Sequence, residues 1–514
     1  MRLRVRPLSI QAGGSNIAIL GENTASRLGV HSSDRLQIVH KNKSVVAIVN
    51  VSADFPQDCL GVYEEVSKKL DVRSDDEVEA HYAESPESLH YVQEKIRNER
   101  LRKSEINLII KDVVERHLSD IELAAFLTAL QIHGVSMDEN EALSRAMADT
   151  GSNLVLGRKP ILDKHSIGGI PGDKTTILLV PIVAAAGFTI PKTSSRAVTS
   201  PAGTADRVET LCPVSLSVEE IREVVNKTNG CMVWGGALEL APADDIFIRV
   251  EYPLAIDPML LPSIMSKKKA IGATHVVLDI PTGRGAKIKT NDEANDLAAD
   301  FIELGRRLGI RVECGVTFGE QPLGHTIGPA LEAREALSTI MGKGPADLRE
   351  KATSLAGILL EMVGLKDGKH KAEELLKSGK AEQKLREIME AQGGNPQVKV
   401  ADIGVGDKKE TVTTDMDGEV LWLNNEDLVR IAKEAGAPKE KGAGVMLRAK
   451  LGDHVKKGDA LFDVYAERAT RLEATLKLAA DLHPIGLSRR PEDRMLISRI
   501  PARAVHRKAS TLES

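Results

Sequence analysis

Four textures of apolar and polar positions succeed one another along the chain. From residue 1 to about 84, short apolar runs at 17–20, 36–39 and 45–49 alternate with turn residues, the pattern of a small β-rich domain. Ala83-Glu84-Ser85-Pro86 reads as a linker. Over 87–153 the spacing turns helical: Ile121, Ala124, Ala125, Leu127 and Ile132 recur behind the capping box of Ser119 and Glu122, and Gly134 supplies a stop. A second helix is expected over 139–147, ending at Gly151. Over 154–397, strand-like runs at 231–234, 276–280 and 310–313 alternate with helical stretches at 218–227, 294–308 and 354–362, which predicts an α/β sheet domain. Over 398–514, strand-like runs return at 410–413, 418–423, 445–449 and 460–464, flanked by Gly and Asp, and predict an α+β, barrel-like C-terminal domain. The basic stretch 489–508 reads as a solvated tail. The expected fold class is thus a multidomain α/β chain, with a helical domain and a sheet domain between two β-containing ends.

The strongest local signal lies at 163–207, where one anion-binding pattern occurs twice. In the first half Gly168, Gly169 and Gly172 precede Lys174, Thr175 and Thr176, and an apolar run at 177–186 then reads as a buried helix. The free N–H groups and dipole of a helix N-terminus favour an anion there, and glycine lets backbone approach it closely. In the second half a short strand at 188–190 is followed by Lys192, Thr193, Ser194, Ser195, Arg196, Thr199, Ser200, Gly203 and Thr204. Glycines and hydroxyls also make ordinary loops; the doubling of the pattern around one helix is what points to a ligand.

These residues carry a resemblance. Lys164-His165-Ser166, Gly168-Gly169, Gly172-Asp173, Ser194, Arg196, Gly203-Thr204 and Asp206 resemble the thymidine (pyrimidine-nucleoside) phosphorylases, most closely the branch that includes AMP phosphorylase. A second segment agrees: Gln321-Pro322-Leu323-Gly324, Thr326-Ile327-Gly328, Ala330-Leu331-Glu332 and Arg334-Glu335, a Gly-rich turn entering a helix. The resemblance runs from about Arg97 to the C-terminus. It implies a cleft between the helical and sheet domains, a homodimer or higher homo-oligomer built on the helices, and a pentosyl transfer to inorganic phosphate as co-substrate, with no other cofactor. Anthranilate phosphoribosyltransferase, of similar fold, is a neighbouring possibility that would need a Mg²⁺-bound substrate.

Composition narrows the partners. Aromatic residues make up 3% of the chain, which speaks against a base-stacking nucleic-acid surface, and the net charge of −5 speaks against a general polyanion binder. Cys59, Cys212, Cys231 and Cys314 lack metal-ligand spacing and read as reduced thiols of a cytoplasmic protein; no metal site is expected. No stretch approaches the ~20 apolar residues that cross a bilayer.

Phosphorolysis needs an anion cradle, cations that hold phosphate in line with C1′, and an acid for the leaving base. The resemblance places phosphate at Lys164, Ser166, Ser194 and Thr204, with the Gly168-Gly169 backbone and the 194–200 loop (Ser194, Ser195, Arg196, Ala197, Val198, Thr199, Ser200) completing the substrate site. It places Ser263, Lys267 and Lys287 near the base or nucleotide; a solvated loop lysine is the plain alternative for Lys287. Asp257, in Ala255-Ile256-Asp257-Pro258, is where that branch carries its proton donor. Its apolar neighbours predict burial and a raised pKa. Asp257 followed by Pro258 also reads as the N-cap of a helix running to Lys268, and the two roles are compatible. The expected reaction is AMP plus phosphate giving adenine and ribose 1,5-bisphosphate. Pyrimidine-nucleoside phosphorolysis and a non-catalytic phosphate-sugar scaffold are the alternatives. Residues 450–460 resemble the turn of a lipoyl-type barrel, but Lys456-Lys457 lack the context of a modified lysine, so a structural role is expected.

Overall fold

A computed structural model describes residues 1–197 and 200–488; the basic stretch 489–508 lies outside the described residues. The N-terminal region closes into a barrel. In chain order its elements are β1 (Arg2–Pro7), β2 (Ile17–Gly21), α1 (Glu22–Leu28), β3 (Arg35–His40), β4 (Lys43–Ser52), β5 (Cys59–Val62), α2 (Glu64–Leu70) and β6 (Glu77–Ala83), and the strands join in the order β1-β5-β2-β4-β3-β6. Side chains alternate across each strand. Leu3, Val5, Ala18, Leu20, Leu36, Ile38, Ala47 and Val49 therefore fill the interior, none more than 1% exposed.

Four helices follow: α3 (Glu87–Ile96), α4 (Lys103–Glu115), α5 (Asp120–His133) and α6 (Met137–Asp149). Ser119 with Glu122 and Ser136 with Glu139 form capping boxes that start α5 and α6. Glu139 also accepts Lys95 Nζ at 2.9 Å and Leu101 N at 3.1 Å, so one buried carboxylate ties α3, the α3–α4 turn and α6 together. The barrel docks on this layer through Arg35, whose guanidinium meets Glu122 at 2.5 Å and the His117 carbonyl at 3.2 Å.

The next region comprises β7 (Leu162–Ser166), α7 (Thr175–Ala185), β8 (Ile190–Ser194), α8 (Thr204–Val208), α9 (Val218–Thr228), β9 (Gly230–Trp234), α10 (Pro242–Leu254), α11 (Leu260–Ala270), β10 (His275–Thr282), α12 (Asn291–Leu308), β11 (Arg311–Phe318), β12 (Thr326–Ile327), α13 (Pro329–Ile340), α14 (Ala346–Met362), α15 (Gly368–Lys377) and α16 (Lys380–Ala391). Its strands are parallel in the order β11-β10-β7 and β8-β9, and the Ile161–Thr189 bridge joins the two groups. Helix α7 is apolar on every side because every side is covered, by β8 and β9 and by α14 and α16. Helix α10 lies in sequence within this region but packs outward: Ala243, Ile246 and Phe247, with Met259 beyond its end, belong to the apolar core of the helical layer, whereas Ile264 and Met265 of α11 return to the core of the sheet domain. That layer is thereby tied to the sheet by chain that leaves and re-enters it.

The C-terminal region holds β13 (Lys408–Thr413), β14 (Gly418–Leu423), α17 (Asn425–Glu434), β15 (Gly444–Leu447), β16 (His454–Val455), β17 (Ala460–Ala466), α18 (Ala469–Leu482) and β18 (Ile485–Leu487). Its larger sheet runs β12-β15-β17-β13, so its edge strand β12 comes from the sheet domain's own Gly-rich turn.

Candidate active site

The carboxyl ends of parallel strands share one edge, and ligands of open α/β sheets bind outside that edge. Here the loops after β7, β8, β10 and β11 meet there. Gly168 and Gly169 adopt φ of +81° and +97°, which turns the first loop sharply at the end of β7. A Cβ on Gly168 would meet nothing, whereas one on Gly169 would stand 2.4 Å from the Lys287 backbone nitrogen. The first loop is thus seated directly on the Lys287 loop after β10. Gly169→Ala is expected to push the two apart and lower kcat/KM for the phosphorolysis proposed below by about 10²-fold, the scale of a 1 Å misplacement; steady-state kinetics checks it.

Beneath this loop lies a buried charge cluster. Asp163 on β7 accepts Lys268 Nζ at 2.6 Å and stands 3.8 Å from Lys192 Nζ; Lys164 stands 3.3 Å from Asp173 and 3.8 Å from Asp279; Lys351 lies 2.8 Å from Asp279. Lys164, Lys192, Lys268 and Lys351 thus face Asp163, Asp173 and Asp279, four lysines against three carboxylates. Burial and then the Lys268 cation bring Lys192 down to about 7. Burial and the surrounding lysines hold His165 well below its ordinary value, so it is neutral. For Asp173 burial opposes ionisation, but the Lys164 and Lys351 cations and the Thr175 hydroxyl prevail and hold it well below the carboxylate range. Lys164 therefore reaches the floor of the loop already partnered, and Ser166 sits at the strand end, its Oγ accepting Gly168 N at 3.4 Å.

Two lysines read from sequence as cations of the anion loops have structural tasks. Lys174 is fully buried, donates to the Leu323 and Thr326 carbonyls at 2.8 and 3.0 Å, and pairs with Glu335 at 2.6 Å. Lys192 is an interior residue of β8, which begins at Ile190 and runs through Ser194, beyond the short strand expected at 188–190 and in place of the loop expected from Lys192 onward.

In the second loop Ser194 Oγ donates to the Val233 carbonyl at 3.1 Å, Ser195 is exposed, Ser200 Oγ donates to the Ala202 carbonyl at 3.1 Å, and Thr204 opens α8. Arg196 is not a free guanidinium: it grips Glu209 with two bonds of 2.8 and 2.5 Å, approaches Asp206 at 3.3 Å and lies 4.9 Å over the Trp234 ring. Asp206 accepts Ala197 N at 2.7 Å and Gly203 N at 2.9 Å, so one carboxylate fixes both ends of the loop. Val198 and Thr199 lie outside the described residues.

Across from these loops stands the turn between α10 and α11. Asp257 is not buried as its neighbours suggested: its side chain is 42% exposed and is hydrogen-bonded by Lys287. Nor does it cap α11, which starts at Leu260 with Met259 as N-cap. The apolar side chains around it in sequence turn elsewhere, Met259 into the helical core. Asp257 N meets Gln131 Oε1 of α5 at 3.4 Å, so the Asp257–Lys287 pair joins the helical layer to the sheet domain. Ser263 is half-buried on α11, and Lys267 one turn on is held by Asp244 of α10. Asn425 at the start of α17 donates to the Gly285 and Gly319 carbonyls, each at 3.1 Å, and braces the Lys287 loop from behind. A cavity of about 460 Å³ opens there, lined by Gly169, Ser200, Lys287, Arg430 and Lys433 among others. Asp244, Glu251 and Asn425 were not singled out from sequence; a Glu or Asn within a helix carries no local mark of what it meets in space.

Known proteins match this arrangement along its length. The model of the glycosyl transferase family a/b domain matches residues 158–382, that family's helical bundle domain matches 89–151, and the pyrimidine nucleoside phosphorylase C-terminal domain matches 420–486. The AMP phosphorylase of Thermofilum pendens is 50% identical over 97% of this chain and 98% of its own. The chain belongs to the AMP phosphorylase family. The member from Thermococcus kodakarensis is also 50% identical, over 94% of this chain and 97% of its own. Among solved structures, anthranilate phosphoribosyltransferase from Thermus thermophilus is 23% identical and covers 59% of this chain and 99% of its own, with a TM-score of 0.49. Family membership makes the chain a pentosyltransferase of the phosphorylase type, and no helix among the described residues is long and apolar enough to cross a membrane.

Proposed function

We propose that the cleft carries out phosphorolysis of AMP, giving adenine and ribose 1,5-bisphosphate. The observation that carries this reading is the near-full-length identity to AMP phosphorylases, joined to an anion-binding edge that faces a carboxyl across one cleft. Inorganic phosphate, the co-substrate, lies on the Gly168-Gly169 backbone with Ser166, Ser194 and Thr204, above the lysine-rich cluster that contains Lys164. The reaction takes no other cofactor. A phosphate oxygen forms a bond to C1′ as the C1′–N bond breaks, through a transition state with positive charge on the sugar. Asp257 gives its proton to the departing base nitrogen, and Lys287 exchanges its bond to Asp257 for one to the nucleotide. Ser263 and Lys267 line the base side, while Ser195 and Ser200 offer hydroxyl contacts along the second loop; Ala197, its amide held by Asp206, and Arg196, through Glu209 and Asp206, shape that loop. Pyrimidine-nucleoside phosphorolysis is the second reading, favoured by the match of the C-terminal domain. Phosphate-dependent base release from AMP, CMP, UMP, adenosine, thymidine and uridine, measured in parallel, separates the two. AMP should outpace adenosine, and efficient cleavage of thymidine or uridine with every monophosphate ignored would leave the second.

The assembly we propose is a homodimer through α5. Ile121 and Ile132 are 82% and 71% exposed and, with Ala125 and Thr128 between them, form one stripe at i, i+4, i+7 and i+11. An apolar helical stripe of this kind suits a second copy of itself. The double variant Ile121→Asp, Ile132→Asp is expected to run as a monomer in light scattering at micromolar concentration, where the parent chain runs as a dimer or larger. We place the protein in the cytoplasm, a reading supported by four cysteines that are all free.

A further inference from the structure

The cavity beside the first loop has two walls. One belongs to the sheet domain: Gly169 of the first loop, Ser200 of the second, and Lys287 and Lys289 of the loop after β10. The other is α17 of the C-terminal region, whose Glu426, Val429, Arg430 and Lys433 recur at i, i+3, i+4 and i+7 and so form one face. On its other side Leu428, Ile431 and Ala432 are buried in the C-terminal core, and Asn425 ties the start of the helix to the Gly285 and Gly319 carbonyls at 3.1 Å each. The helix is therefore held with its cations toward the active-site loops. Among the described residues the lining carries four cations, Lys287, Lys289, Arg430 and Lys433, against one carboxylate, Glu426. Among the same residues Arg430 makes one ion pair, a 3.4 Å contact with Asp427 that leaves most of its guanidinium unspent, and Lys433 makes none.

We propose that Arg430 and Lys433 form the subsite for the 5′-phosphate of the nucleotide, so that the C-terminal region sets the preference for a nucleotide over its nucleoside. The proposal rests on AMP being the substrate. Attack at C1′ puts inorganic phosphate at one end of the ribose, and the 5′-phosphate projects from the other, so the enzyme needs two separate anion sites. The two loops offer cations for both in sequence, but Lys174 is spent on Glu335, Lys192 lies within β8, and Arg196 is spent on Glu209 and Asp206. The floor under Gly168-Gly169 serves one phosphate. The α17 wall supplies the charge for the second: a guanidinium presents paired N–H donors that fit two phosphate oxygens, and an ammonium one helical turn along adds a point charge.

The test is kcat/KM for AMP and for adenosine, with the KM of inorganic phosphate, in the parent enzyme, in the double variant Arg430→Met, Lys433→Met, and in Arg430→Lys. In the double variant kcat/KM for AMP should fall by about 10²-fold or more, the scale of two hydrogen bonds to a charged group, chiefly through KM. Adenosine, with no 5′-phosphate to lose, should keep its rate, and the KM of inorganic phosphate should hold. Arg430→Lys, which keeps the charge, should fall between parent and double variant. Equal losses for AMP and adenosine would make α17 a brace for the Lys287 loop, and a raised KM for inorganic phosphate with AMP unaffected would put the co-substrate there; either overturns the proposal. If adenosine is too slow to follow in the parent, the two KM values decide: a rise for AMP alone supports the subsite, and any other pattern overturns it. Arg430→Met alone, at a side chain 52% exposed, serves if the double variant fails to fold by circular dichroism. A parent that ignores AMP and cleaves thymidine or uridine would sink the AMP reading and the subsite with it. A folded double variant that keeps the parent's preference for AMP would sink the subsite alone.

Discussion

Asp257→Asn is expected to lower kcat for AMP phosphorolysis by at least about 10²-fold and by as much as about 10⁴-fold, the range that general acid catalysis spans. The amide keeps the shape of the side chain and loses the transferable proton. Folding should change little, because the Asp257–Lys287 pair is 42% and 41% exposed and solvent-screened pairs of this kind contribute at most about 1 kcal/mol. Thermal unfolding near the parent value beside a collapsed kcat is therefore the expected combination. A base that leaves without protonation should escape the defect, so a substrate with an activated leaving group should recover most of the lost rate. Equal loss with such a substrate would mean that Asp257 positions the nucleotide and donates no proton.

The second large effect is on stability. Lys174→Met is expected to destabilise the fold by about 3–5 kcal/mol, the usual consequence of stripping one member from a buried ion pair. Lys174 is fully buried, and its removal leaves Glu335, 10% exposed, without its cation, and two carbonyls without their donor. In the parent, burial opposes ionisation of Glu335, but Lys174 and the bonds from His325 and Thr326 prevail and hold it well below its ordinary value of 4.5. The stability this supplies is present in full above about pH 4.5 and is lost as pH falls below it. In the variant the cation that opposed burial is gone and the neutral form of Glu335 is favoured, so the gap between parent and variant should shrink between pH 7 and pH 4 as the variant's Glu335 protonates while the parent's stays ionised. Urea unfolding at the two pH values reads it directly, and a gap that stays constant would separate Lys174 from Glu335.

Lys174 also shows where sequence reading stops. The glycines of the first loop were legible because a chain turn with positive φ at Gly168 and Gly169 has few other solutions, and α7 was legible because an unbroken apolar run needs cover on every side. A lysine beside such a loop looks like a ligand for anions. Its true partner, Glu335, lies far along the chain, and nothing local marks it. Arg196 spends its guanidinium nearer by, on Asp206 and Glu209, 10 and 13 residues on. The segment 321–335, recognised as a signature, turns out to brace the first loop: Gly172 packs against the Leu323 and Thr326 carbonyls, and Glu335 gathers the 325–326 amides. Three of the six barrel strands, β2, β3 and β4, were visible as short apolar runs, but β1, β5 and β6 were not, and closure in the order β1-β5-β2-β4-β3-β6 depends on pairings that periodicity does not encode. The C-terminal region was expected to be α+β, but its helices α17 and α18 were not located, and with α17 went Asn425, which braces the Lys287 loop.

The central claim is that a phosphate oxygen, and not water, takes C1′ from the base of AMP. Phosphorus NMR of the enzyme with AMP and inorganic phosphate tests it most directly. The expected spectrum gains the two resonances of ribose 1,5-bisphosphate, in step with adenine release, and adding that product with adenine regenerates AMP. Adenine released at the same rate in phosphate-free buffer, with ribose 5-phosphate as the sugar product, would contradict it.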